Sequence, residues 1–451
     1  MRISLCSLLV CAVLGTVIWA TPPDYKTFGR EQNTTHSPEE DELLRVWAFY
    51  VGQGDALLIQ LPSKFSYDSD GDGTADQRID ILVDTGPRTS DESRQIRTLI
   101  NTVYPAGSII EHLVITHHDQ DHVGGIPDLF ADELVGVETI YHNGLASYRP
   151  GEKGFPETGI PTQPAIFKEN NSGDITRGMA FLDSDGQVRS QFLIDNLAEL
   201  RASFEGDELH GVYHDLAEAV LSKTEPLAVA GFLRVTDGGD FINESEAQHN
   251  RGLDPGEIQI DPVWPLDRPR QYGDWGESIN GNSVTFRLAY KDFAMLFTGD
   301  HNEISEDELL NHLGDDTDRL QCDVLKVPHH GSSHAAESFF RADALAPVVS
   351  VASQGSRGFL SNWEHPSTDV ISWLGRSHRV YHTYIHERRF DYDDFPSRDE
   401  RLPLVEETHV LVETDGEWFR IVEVTDPTSV QSTQQTRRGN GTRWIKAEVT
   451  P

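Results

Sequence analysis

The sequence predicts an α/β fold in which helices pack on mixed sheets, and three observations carry that expectation. Between residues 43 and 144 short apolar runs alternate with helical patterns, between 259 and 425 the alternation returns, and residues 145–258 interrupt it. Strand pairs separated by helices bury their apolar faces by placing the helices on the sheets. The chain has 451 residues. At about 150 residues per domain that length suits several domains, or one domain enlarged by an insertion.

In chain order, Arg2 and the apolar run from Leu8 to Ala20 read as a secretory signal peptide over residues 1–20, cleaved after Ala20. Residues 21–42 are polar, rich in proline and charge, and read as a flexible lead-in. The first half, 43–144, holds strands in LLRVWAFYV, ALLIQL and IDILVDTG, a helix in DESRQIRTLINTV, a strand in IIEHLVIT and a short helix after Gly125. Ile96, Leu99, Ile100 and Val103 share one face of that first helix, and Thr89 with Glu92 suits a capping box. Residues 145–258 read as an inserted helical subdomain: a Gly/Pro-rich stretch, then helices in QFLIDNLAELRASF and LHGVYHDLAEAVLSK. The second half, 259–425, alternates SVTFRLAY, FAMLFTGD, helix EISEDELLNHL, CDVLKVPHH, helix AAESFFRAD, PVVSVAS, helix STDVISWLG and RVYHTYI. It closes in the hairpin THVLVETDGEWFRIVEV, whose Asp-Gly pair suits a tight turn. Residues 426–451 form a locally basic tail, read as a mobile, solvated end.

Lys and Arg number 37 against 74 Asp and Glu, a net charge of −37 at pH 7, with 37% hydrophobic residues. This composition is globular and soluble, and it disfavours long nucleic acid and anionic membranes as partners. Cys6 and Cys11 fall in the leader, so the mature chain keeps Cys322 alone and forms no internal disulfide. No later apolar run is long enough to span a bilayer. The expected location is secreted or periplasmic.

The chemistry concentrates in Thr116 to Gly125, THHDQDHVGG, directly after a buried strand. His117, Asp119, Asp121 and His122 place four nitrogen or oxygen donors within six residues, at a turn where they can converge on metal. Histidines and aspartates are common in solvated loops, but four donors followed by Gly-Gly argue against that blander reading. Two further clusters stand at strand ends: TGD at 298–300 and PHHGS at 328–332.

Taken in order, THHDQDHVGG, TGD and LKVPHHGS closely resemble the metallo-beta-lactamase fold superfamily. Within it they resemble the hydrolase domain of the DNA-uptake competence protein ComEC and its stand-alone relatives. VGQGDALLI at 51–59, ILVDTG at 81–86, Asp119 in place of a second histidine and NSVTFRL at 282–288 point to that branch. The resemblance covers about residues 43–144 and 258–420. It implies a four-layer αββα sandwich with two divalent transition metals, zinc or manganese, at one edge. Carried over by position, His117 and Asp119 belong to the first metal, Asp121 and His122 to the second, and Asp300 bridges both. His330, preferred over His329, completes the second. Asn280 or Asn282 stands where the superfamily's usual third histidine would be, and Asp84 and Asp55 stand behind the ligands and orient them. Tyr50 and Glu364 depart from the branch, where Asp and Gly are frequent. His365 still falls where it can reach substrate, stabilising a phosphoryl oxygen or protonating a leaving group; a surface histidine before a proline turn is the equal alternative.

Independently, DSDGDGTAD at 68–76 sets Asp68, Asp70, Asp72 and Asp76 at positions one, three, five and nine of a calcium loop, with Gly73 at six. Ile79 stands at position twelve instead of the usual glutamate. A structural calcium is expected there, against the alternative of an acidic, solvated hairpin tip. The function expected is an exported dinuclear metal-dependent hydrolase that holds a nucleophilic hydroxide between its metals, with Asp121 and His365 as catalytic groups. A small or short phosphodiester is its expected substrate. An esterase, lactonase or beta-lactam hydrolase, or a ComEC-like nuclease, is the alternative, and a metal-binding module without catalysis is the weakest reading.

Overall fold

The computed structural model describes residues 30–69, 72–88, 108–131, 135–149, 182–224, 227–248, 251, 253, 256–265, 267–272, 275–342, 345, 347–354, 365–374, 379–386, 405–407, 409–424, 437–438 and 444–449. Two large sheets dominate them. The larger runs in the order Gln32–Asn33, Trp444–Lys446, Trp418–Val424, His409–Thr414, Leu44–Ala48, Leu57–Gln60, Asp80–Val83, Ser108–Val114, Val135–His142 and Gly231–Arg234. Arg437–Arg438 pairs with Trp418–Val424 off that path. The second sheet runs Arg379–His382, Val349–Ala352, Val324–Lys326, Phe293–Phe297, Thr285–Tyr290 and Ile258–Trp264.

Side-chain alternation decides which face each strand offers to which neighbour. Leu44, Val46, Ile59, Ile81 and Val83 meet Ile260, Phe286, Leu288, Met295 and Val349 in the core between the sheets. Trp47, Leu58 and Leu82 turn the other way, onto Leu129, Phe130, Leu200 and Leu216 from Ile126–Ala131, Leu197–Glu205 and Gly211–Ser222. On the far side Leu296, Leu325 and Val327 pack under Leu309, Phe339, Phe340 and Val370 from Glu303–Leu313, Glu337–Phe340 and Thr368–Leu374. The layers therefore run helix, sheet, sheet, helix, which is the expected fold class. Strands buried on both faces read as nearly continuous apolar runs, and this is why they were visible in sequence. No helix of the described residues is long and apolar enough to cross a membrane.

The interrupted region differs from a self-contained subdomain. Leu145, Tyr148, Phe192, Leu200 and Leu216 share one core with Leu113 and Ile140 of the large sheet. Gly231–Arg234 extends that sheet, parallel to Val135–His142. The insertion thus supplies two of the helices, Leu197–Glu205 and Gly211–Ser222, that lie with Ile126–Ala131 over the first half. Residues 150–181, and the helix expected over 91–103, lie outside the described residues.

The ends also depart from expectation. Gln32–Asn33 pairs antiparallel with Trp444–Lys446, which in turn pairs with Trp418–Val424. Trp444, Ala447 and Val449 are buried. Arg30 is ion-paired to Asp323, and Arg420 lies 4.6 Å from the centre of the Trp444 ring. Residues 444–449 are therefore docked rather than a solvated end, seated by the Trp444 ring together with Ala447 and Val449. Within 68–76, Asp68 accepts the Asp72 and Gly73 amides at 3.1 and 2.6 Å, and Asp76 accepts that of Ser69 at 3.1 Å. Asp70 lies outside the described residues.

Candidate metal centre

The site forms where strand ends of both sheets meet. Asp80–Val83 ends in Asp84, whose positive φ of 55° swings its carboxylate back across the next strand end. One oxygen accepts the Thr116 amide at 2.8 Å; the other accepts the Thr116 hydroxyl at 2.6 Å and His122 Nδ1 at 2.8 Å. His117 Nδ1 lies 3.0 Å from the Thr116 hydroxyl and 3.3 Å from the Ser283 hydroxyl. His330 Nδ1 donates to the Ser353 carbonyl at 2.8 Å. All three histidines thus occupy Nδ1 with protein partners, and each leaves Nε2 buried outside any hydrogen bond. An imidazole held through one nitrogen presents the other as a metal donor of fixed direction.

Those bare nitrogens converge. Asp300 Oδ2 lies 3.2 Å from both His122 Nε2 and His330 Nε2, while His330 Nε2 lies 3.6 Å from Asp121 Oδ2. His117, His122 and Asp300 form one group compact enough to hold an ion, and Asp121, His122 and His330 form another. Asp119 approaches His117 Nε2 at 3.8 Å. It stands at the N-terminal cap of the short helix Gln120–Val123 but makes no side-chain cap bond, so its carboxylate stays available. The imidazoles and Asp300 form a dry floor, with side chains no more than 4% exposed, whereas Asp119 and Asp121 are 35% and 36% exposed at the rim. All six residues expected to bind metal come together here. His122 joins both groups, whereas the sequence suggested that it served the second metal alone.

Close backbone approach explains two glycines. A Cβ on Gly54, at φ 142°, would sit 2.1 Å from the Asp121 carbonyl, and one on Gly125 would sit 2.3 Å from the Thr85 carbonyl. The VGQGD segment is thereby pressed against the metal loop, and the Gly-Gly end of that loop against the ILVDTG segment. Asn282 is committed to backbone: its side chain accepts from the Arg270 amide and donates to the Arg270 and Ser278 carbonyls at 2.6 to 2.9 Å. Asn280 is the one facing the cluster, with Nδ2 3.4 Å from His329 Nε2 and Oδ1 buried without a hydrogen bond. His329 Nε2 lies 4.0 Å from Asp300 Oδ2, farther than His330. His365 is 93% buried, its ring 5.9 Å from that of His329 and 6.2 Å from that of His330, so it flanks the donors without joining them.

Electrostatics follow the same geometry. Burial opposes charge on His122 and His330, yet the carboxylates win and hold both pKa values well above the usual histidine range: Asp300 and Asp84 for His122, Asp300 and Asp55 for His330. Burial and the neighbouring imidazoles push His365 down to about 3, so it is a neutral hydrogen-bonding group. Sequence reasoning missed Lys326. Its side chain is fully buried, ion-paired to Asp55 and 3.7 Å from Asp300 Oδ1. The signal available was a lysine inside the apolar run Val324 to Val327.

Bare buried imidazole nitrogens and convergent carboxylates fit a divalent metal. Residues 76–189 match the family described as the metallo-beta-lactamase superfamily. A probable metallo-hydrolase of Bacillus subtilis, YqjP, is 30% identical over 122 residues, 24% of this chain and 36% of the relative. The lactamase-like protein vrtG of Penicillium aethiopicum is 32% identical over 143 residues, 29% of this chain and 44% of the relative. The chain therefore spans less than half the length of these curated relatives. A subclass B3 metallo-beta-lactamase from a soil metagenome library aligns at 14% identity and TM-score 0.28, over 63% of this chain and 76% of that one. A Cronobacter sakazakii metallo-beta-lactamase aligns at 14% and 0.27, over 61% and 68%.

Proposed function

We propose that the chain is an exported metal-dependent phosphodiesterase acting on small or short phosphodiesters. The observation that carries the hydrolase reading is the convergence of three bare Nε2 atoms with Asp300 and Asp121. The phosphodiester reading rests on the ComEC-like motif order, on Asp119 and Asn280 where histidines are usual, and on neutral donors beside the floor. Divalent metals, zinc or manganese, would supply Lewis acidity and lower the pKa of a coordinated water. His117, Asp119, Asp121, His122, Asp300 and His330 would hold them. Asp84, Ser283 and the Ser353 carbonyl fix which imidazole nitrogen faces inward. Asn280, His329 and His365 would bind and orient the substrate's oxygens. The 68–76 loop is proposed, on the spacing of its carboxylates, to take a structural calcium.

The test is hydrolysis of bis-nitrophenyl phosphate, a lactone, a cephalosporin and long duplex DNA by metal-loaded protein at low and high salt. Turnover of the diester above the others is expected. Preference for the lactone or cephalosporin would move the chain to ester or lactam chemistry. Efficient cleavage of long DNA at low salt with little diester turnover would make it a nuclease.

A further inference from the structure

On donor geometry alone Asp55 qualifies as a metal ligand. It belongs to two of the compact groups around the site, one with Asp300 and His330, the other with Asp84 and His122. It is also fully buried, and its Oδ1 lies 3.4 Å from His330 Nδ1. Yet the space among Asp55, Asp300 and His330 is already served by a cation. The Lys326 ammonium is ion-paired to Asp55 Oδ2, lies 3.7 Å from Asp300 Oδ1 and donates to the Gly299 carbonyl at 3.2 Å. Lys326 ends Val324–Lys326, its carbonyl accepts the Thr298 hydroxyl at 2.8 Å, and the Asp55 amide donates to the Asp121 carbonyl at 3.3 Å. One side chain thus ties together the three loops that carry VGQGD, TGD and PHHG.

Asp300 is divided by this arrangement. Its Oδ1 faces the ammonium, and its Oδ2 faces the tips of His122 and His330. We infer that Lys326 is a built-in cation that keeps Asp55 out of the metal-ligand set and leaves Asp300 a single oxygen for metal. Five carboxylates crowd the site: Asp55, Asp84, Asp119, Asp121 and Asp300. Two divalent ions and one ammonium neutralise them, so the lysine sets how many metal charges the cluster accepts. Lys326 is a positioning residue: it acts on metals and substrate only through Asp55 and Asp300.

The inference rests on the metal-hydrolase reading, and cobalt(II) titration of the full chain separates the two. Wild type should take up cobalt with a spectrum set by the histidines, Asp119, Asp121 and Asp300. K326M should bind at least tenfold tighter, because a like charge is gone and Asp55 is released, and its visible absorption should weaken as a further carboxylate raises the coordination number. Equal or weaker binding with an unchanged spectrum would make Lys326 a structural ion-pair partner and overturn the inference alone. No cobalt uptake by wild type would overturn both readings. Should K326M fail to fold, D55N/K326M removes both buried charges together. It should retain the wild-type cobalt stoichiometry, and loss of an equivalent would show that Asp55 is itself a ligand.

Discussion

Asp84→Asn isolates the orientation of one ligand with little other disturbance. The residue sits at φ 55°, a conformation asparagine adopts readily, and the exchange keeps shape and volume. Asp84 accepts three hydrogen bonds, from the Thr116 amide, the Thr116 hydroxyl and His122 Nδ1. An amide can keep its oxygen on the Thr116 backbone and turn its NH2 toward the hydroxyl, which can accept. His122 Nδ1–H then faces a donor. Either that bond is lost, or the proton moves to Nε2 and blocks the metal. A hydrogen bond to a charged group is worth about 1.5–3 kcal/mol, or about 10- to 100-fold in metal affinity. The assay is zinc competition against a chromophoric chelator, with thermal unfolding of the metal-free proteins as the folding control. Affinity within about threefold of wild type in a folded variant would refute the argument that Asp84 holds His122 for metal.

Burial and nearby Asp80 raise the Glu111 pKa to about 7, although Tyr67 and the Asp80 amide donate to it. A raised pKa gives stability that is complete below about 4.5 and lost as pH rises through 7, about 3 kcal/mol in all. Glu111→Gln should flatten that loss in urea unfolding at pH 5 and 8, and an unaltered slope would place the titration elsewhere. His365→Ala should lower kcat on the diester without changing metal content; metal loss would make it a ligand, and an unchanged rate would remove it from substrate contact. Calcium should raise Tm of wild type but not of Asp70→Asn/Asp72→Asn, with diester turnover the same in both; an equal shift in the variant would locate calcium outside the loop.

The donor clusters were legible because each lies within a few residues at the end of an apolar strand. THHDQDH, TGD and PHHG announce both chemistry and topology. Asn282 and Asn280 could not be told apart in that way, since only folding brings Arg270 to one and His329 to the other. Lys326 escaped notice because its partner is 271 positions away in the chain and a lone lysine has no pattern. Val135–His142 and Gly231–Arg234 were missed as strands: the first carries Gly136 and Glu138 within it, and the second is four residues at a sheet edge. The tail misled because its basic residues, Arg437, Arg438, Arg443 and Lys446, stand among polar ones with no apolar period, although Trp444, Ala447 and Val449 seat its end.

The contrast between a dry imidazole floor and a wetter carboxylate rim would set how the site exchanges the metals proposed for it. The floor histidines are pinned through Nδ1 and cannot retreat, so an ion of larger radius must be accommodated by Asp119 and Asp121, which have solvent on one side and room to shift. A chelator would reach bound ions from that same side, where Asp119 and Asp121 rather than the imidazoles face solvent. Stripping rates should therefore follow changes at the two rim aspartates, while the choice among metals at equilibrium would be held by the floor.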